Sequence, residues 1–220
     1  MSPASTFVPG SHDRGPEYSG SRPQTLLAMR YVHIVATAAL VAATVAPLEA
    51  ESQLRPAPSS RGTSEVTLNY PQGQTPPAGA QPVTIRLDYG QPHLRGRTLH
   101  TDSLVPYDKV WRTGANNATT LTTGVDLVIG GATLPAGAYV LYTLPSRAGW
   151  KLIFQKSEGQ TAEHDPVKDL ARVDLRHTEL SVPMESLTMW LIPSTAPGKG
   201  AGELRFAWGR NMLSTDWSLK

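Results

Sequence analysis

The sequence contains no cysteine. Disulfides, cysteine nucleophiles, thiolate metal sites and a lipidated cysteine anchor are therefore excluded, and packing alone must hold the fold together. Charge is sparse as well: 17% of residues are charged, against about a quarter in an average soluble domain. The formal net charge is only +2, which gives no electrostatic case for binding nucleic acid or an anionic membrane. No apolar run reaches the roughly 20 residues that a membrane helix needs. Recognisable catalytic signatures are missing too. There is no GxSxG, HExxH, HxH or Walker sequence, and no GxGxxG follows a strand-like run;. Glycine and proline, by contrast, number 19 each, which favours turns and short elements over long helices.

The N-terminal third is set apart by composition. Residues 1–28 are rich in Ser, Pro and Gly without a hydrophobic period, the pattern of a disordered segment. MRYVHIVATAALVAATVAPLEA, residues 29–50, then opens on Met29 and a single cation, Arg30. It continues through an Ala- and Val-rich run and ends in small residues. Those are the three parts of a secretory signal peptide, with cleavage expected after Ala46 or Ala50. The internal position of this segment implies that Met29 is the true start and that residues 1–28 are an over-extended reading; a signal anchor with a cytoplasmic tail is the alternative. Export to the periplasm or the medium, without a stable membrane span after cleavage, is the expectation. Residues 51–64 read as a flexible leader, and the net charge without residues 1–50 is still +2.

From Glu65 onward the apolar period is two. In VTIRLDY, Val83, Ile85, Leu87 and Tyr89 share one face, and Thr84, Arg86 and Asp88 share the other, as a half-buried antiparallel strand requires. VDLVI and ATL flank Gly130-Gly131, a pair suited to a tight hairpin turn;. Further strands are expected in EVTLNY, AYVLYTL, WKLIFQK, LARVDLRH, ESLTMWLI, ELRFAW and STDWSL, with at most one short helix near Pro166–Leu170;. Nine to eleven strands over residues 65–220 predict an all-β, single antiparallel β-sandwich domain of jelly-roll or Greek-key type.

Five stretches, VTIRLDYGQPHLRGRTLH, LVPYDKVWRTGANNATTLTT, VDLVIGGATLPAGAYVLYTLP, WKLIFQK and HDPVKDLARVDL, resemble a family of secreted bacterial proteins known as domain of unknown function 2911. In that family the second stretch runs close to LVPYGKVWRTGANEATT and the third contains LPAGTYSLFTIP. The resemblance spans roughly Glu65 to Trp217 and implies secretion and an all-β domain, without an activity. Gln91-Pro92 stands where the family commonly has Arg-Pro, and residues 71–82 form an added loop.

The polar run VPYDKVWRTGAN has two readings. As a structural knot, Trp111 enters the core, Gly114, Asn116 and Asn117 build a turn, and Arg112 pairs with Asp88, Asp102 or Asp108. Arg112→Ala would then cost a few kcal/mol. As a pocket, Arg112 and Asn116 would grip a carboxylate, phosphate or sugar hydroxyl, and Tyr107 or Trp111 would stack on the ligand. The knot is favoured. The candidate ligand-binding set is Tyr107, Trp111, Arg112, Asn116, His93 and His100. His93, His100, His164 and His177 read as solvated loop histidines, because none has metal-ligand spacing and His164-Asp165 lacks a third ligand;. The basic bias of Arg95, Arg97, Lys109 and Arg112 reads as a solvated face or as an anion-binding rim. No cofactor, metal or catalytic residue is assigned. The function expected is a non-enzymatic module for a small molecule, a glycan or an envelope protein. The alternative is a hydrolase using His93 or His100 as base on the loops 93–100 and 107–116.

Overall fold

The computed structural model describes residues 54–159, 163–198 and 200–220. The signal-like segment and the residues before it lie outside these. The chain divides into two compact units, Met1–Arg55 and Pro56–Lys220, and every described strand belongs to the second.

Nine antiparallel strands form it: β1 (Arg61–Leu68), β2 (Val83–Gly90), β3 (Thr120–Thr123), β4 (Leu127–Ile129), β5 (Ala132–Leu134), β6 (Gly137–Ser146), β7 (Gly149–Lys156), β8 (Asp169–Pro193) and β9 (Ala201–Leu219). The only helical element among the described residues is a single 3-10 turn, Pro166–Lys168, capped by the Asp165 side chain on the Val167 amide;. It lies where the one short helix was expected. The protein is all-β, as the alternating pattern implies.

Hydrogen bonding runs unbroken in the order β1-β2-β3-β6-β7-β8-β9-β4-β5. The layers are therefore two parts of one sheet, and no separate second sheet is present among the described residues. The two parts meet because the outer half of β8 returns across β1 and β2. There the Tyr89 hydroxyl accepts from the Met189 amide at 3.1 Å and Ser64 Oγ from the Leu191 amide at 2.9 Å. Ile85, Leu87, Leu121, Leu141, Leu152 and Phe154 fill one side of the resulting core, and Leu187, Met189, Leu204, Phe206 and Trp208 fill the other. β1 starts at Arg61, four residues before the alternation begins. Its first turn of pairing is secured by polar groups, with Arg61 Nε donating to Asp88 Oδ1 at 2.8 Å, and apolar periodicity carries no trace of such pairing.

β8 and β9 are 25 and 19 residues long, several times the usual strand. LARVDLRH and ESLTMWLI thus merge into one strand, and ELRFAW and STDWSL into another. Strands of that length must bend. The register between them breaks from Glu179 to Met184, where Pro183 has no amide hydrogen to donate. Opposite Met184 stands Gly209 at φ +58°, a conformation that costs other residues about 1–2 kcal/mol. This bend builds the candidate site.

Candidate functional site

A groove of about 500 Å³ opens beside the bend. Leu94, Arg97, Thr98, Leu99, His100 and Tyr107 from the β2–β3 connection form one wall; His177, Glu179 and Pro183 of β8 and Gly209, Arg210 and Asn211 of β9 form the other. The connection is unusually contorted. Among the described residues, Arg95, His100, Val105, Asp108, Thr113 and Asn116 all have φ between +49° and +64°. For β-branched Val105 and Thr113 that is a true outlier. Backbone held in such conformations is concentrated at functional sites.

His100 organises the groove. Its Nδ1 lies 3.0 Å from the Val105 carbonyl oxygen and its Nε2 3.3 Å from Asn211 Nδ2. A carbonyl only accepts, so Nδ1 carries the proton; Nε2 then accepts from the Asn211 amide. The Asn211 Oδ1 in turn accepts from His177 Nε2 at 3.0 Å. The result is a directed His177–Asn211–His100 chain with the tautomer of each ring fixed by its partner. Tyr107 stacks on His100 with centroids 4.2 Å apart, and the Arg147 guanidinium lies over the tyrosine ring at 4.8 Å. The Tyr107 ring is thus engaged by both His100 and Arg147.

The other sequence-derived candidates lie elsewhere. Trp111 is half-buried, stacks on Trp208 at 5.6 Å and pairs its backbone with Thr143. It also lines a small cavity of about 20 Å³ with Trp150 and Trp208 and packs against the main core. Beyond it the turn closes on buried threonines: Thr113 Oγ1 donates to Thr143 Oγ1 at 3.2 Å, and Thr119 Oγ1 to the Thr113 carbonyl at 2.8 Å. Asn116 is exposed and donates to the Ser59 carbonyl at 3.4 Å, binding the segment ahead of β1. The run is therefore a knot, with one correction. Arg112 is exposed and makes no ion pair among the described residues; Asp88, one of its three expected partners, is held by Arg61 and Arg86. Asp102 and Asp108, the other two expected partners, lie in the β2–β3 connection and pair with no arginine among the described residues.

His93 is not among the residues lining the groove; its Nδ1 lies 2.6 Å from Ser186 Oγ. It anchors the connection to the edge of β8, where Leu94 and Leu187 also exchange backbone hydrogen bonds with Glu185 and Pro92. His164 is no solvated loop residue. Its Nε2 lies 2.8 Å from Asp169 Oδ1, which also accepts from Gln155 at 2.7 Å, and its ring meets Tyr142 edge-on. His177, read as a loop residue, lies on β8. His177, Asn211 and Arg210 escaped sequence reasoning because they reach the groove only through the β8–β9 bend. No group of three or more His, Asp or Glu placed to hold a metal ion occurs among the described residues.

A second, larger depression of about 720 Å³ is lined by Asp174, Arg176, Glu203, Asp216 and Trp217. Arg176 bonds Glu203 at 2.9 Å and Asp216 at 2.8 Å, tying the two halves of β9 together. Its charges are spent on one another.

The family described as "Protein of unknown function (DUF2911)" matches residues 73–216. The chain belongs to this family. The DUF2911 match takes in the whole β2–β3 connection, the bend and every groove residue. No curated protein and no solved structure matches the chain. Membership places the groove within the family's domain and attaches no chemistry to it. No helix among the described residues is long and apolar enough to cross a membrane.

Proposed function

We propose that this DUF2911 protein is an exported binding module that holds a small molecule or glycan in the groove at His100, Tyr107, His177 and Asn211. The observation that carries this reading is the His177–Asn211–His100 chain. Both nitrogens of His100 are already engaged, by Val105 and by Asn211. A general base needs a free lone pair within reach of a substrate proton; a recognition site needs polar groups fixed in direction, inside a concavity of a few hundred Å³. The groove meets the second requirement. Thermal unfolding against a panel of sugars and small metabolites tests it, because a ligand that binds only the folded state raises the midpoint. A midpoint rise in wild type that disappears in Asn211→Leu is expected; a rise of equal size in both proteins would move the site elsewhere. Export rests on residues 29–50, and intact-mass analysis of the secreted protein should find a new N-terminus at Pro47 or Glu51.

A second reading, a hydrolase, has one observation in its favour: the 2.6 Å contact of His93 Nδ1 with Ser186 Oγ, the spacing of a nucleophile and its base. No carboxylate bonds the other side of His93 among the described residues. Labelling of Ser186 by a fluorophosphonate would support this reading, and an unlabelled wild-type protein would end it.

A further inference from the structure

Arg61, Arg86, Arg172, Arg176 and Arg205 are each paired with a carboxylate. Among the described arginines of the domain, Arg95, Arg97, Arg112, Arg147 and Arg210 have no ion-pair partner, and of these Arg97 and Arg210 line the groove. Arg97 donates from Nε to the Leu94 carbonyl at 2.9 Å and from Nη2 to the His93 carbonyl at 2.7 Å. Arg210 donates from Nη1 to the carbonyls of Leu180 and Ser181 at 3.0 and 2.7 Å. Neither has an ion-pair partner among the described residues. Arg147 lies over Tyr107 and has none either. A main-chain carbonyl orients a guanidinium without cancelling its charge, and each guanidinium has five donors, of which these contacts use two at most. Arg97 and Arg210 come from opposite walls of the groove, and Glu179 is the only carboxylate lining it. Fixed, uncompensated cations facing one concavity raise the local concentration of anions, and the planar fork suits an oxyanion with two oxygens.

We infer that the ligand of this groove carries an oxyanion group, a carboxylate or a phosphoryl, held between Arg97 and Arg210, while its hydroxyl-bearing body lies along Leu99, His177 and Tyr107. This rests on the reading of the groove as a binding site and adds the class of ligand. The probes are three forms of one sugar: glucose, glucuronate and glucose 6-phosphate, titrated into the protein by calorimetry at low and high salt. Both arginines are exposed at the surface, so Arg97→Met and Arg210→Met should fold; circular dichroism checks this, and Arg112→Met is the control cation outside the groove. One or both anionic sugars should bind more tightly than glucose and weaken with added salt. They should lose roughly tenfold in affinity with each groove substitution and none with Arg112→Met. Which anion binds tells carboxylate from phosphoryl. Glucose binding as tightly as its anionic forms, indifferent to both substitutions but lost in Asn211→Leu, overturns the inference and leaves the groove reading intact. Anion binding that falls with Arg112→Met and not with Arg97→Met or Arg210→Met also overturns it. No binding of any of the three overturns both.

Discussion

Arg112 and Thr119 sit seven residues apart in one polar run and do opposite things. Arg112 is exposed and has no ion pair among the described residues, so Arg112→Ala should change the unfolding free energy by less than about 0.5 kcal/mol in denaturant titration, as surface substitutions usually do. Thr119 is 0% exposed, and its hydroxyl supplies a hydrogen bond to the Thr113 carbonyl. Thr119→Val keeps the shape and deletes the donor, leaving a carbonyl with one partner fewer in a dry site. It should cost about 1–3 kcal/mol. A loss as small as that expected for Arg112→Ala would mean that the turn is held by its packing and not by its hydrogen bonds. Sequence reasoning weighted charge over hydroxyl in this run, and the balance is the reverse because burial, not formal charge, sets what a lost contact costs.

Among the elements, one close approach and one carboxylate fix the connections. Gly90 closes β2 against the knot: a Cβ there would meet the Ala115 carbonyl oxygen at 1.8 Å. Gly90→Ala must push backbone from backbone and should cost about 3 kcal/mol or more, seen as a lower denaturation midpoint. The single 3-10 turn and the start of β8 are fastened to β7 through Asp169. Burial by itself raises the pKa of that carboxyl, but hydrogen bonds from Gln155, Arg172 and His164 outweigh it and hold the group below its usual 3.8. A folded pKa below the unfolded one means that the carboxylate stabilises the fold above the unfolded value, and that this contribution fades as pH falls from 3.8 through the folded value;. Glu203 behaves in the same direction: burial opposes, and donors led by Arg176 and Arg205 prevail. Stability measured across the acid range should therefore drop below about pH 4, and Asp169→Asn should flatten part of that slope. A variant with an unchanged slope would assign the acid sensitivity to Glu203 and other carboxylates.

For the molecule as a whole, one continuous hydrogen-bonded sheet and one main core imply one cooperative unit. β8 alone contacts β1, β2, β7 and β9, so the two faces of the fold cannot come apart separately. Tryptophan fluorescence, reporting on residues 111, 150, 190, 208 and 217, and far-ultraviolet circular dichroism should give coincident unfolding curves. Two separated transitions would show that the β8–β9 arm unfolds independently of the rest.

The alternation of Ile85, Leu87 and Tyr89, the Gly130-Gly131 turn and the motif around VWRTGAN determined by themselves that the protein is an antiparallel all-β domain of the DUF2911 family, with a knot after Trp111. These features are local: pleat, turn chemistry and a short polar run are each written within about ten residues. Only the tertiary structure decided that LARVDLRH and ESLTMWLI form one bent strand, that Arg61 takes Asp88, one of the three carboxylates expected for Arg112, and that Asn211 joins His100 to His177 across 111 and 34 residues of chain. A pairing between residues so far apart leaves no periodicity in either segment. It comes into being where Pro183 interrupts the ladder and Gly209 turns the opposite strand, and the groove with its two unpaired arginines follows from that bend.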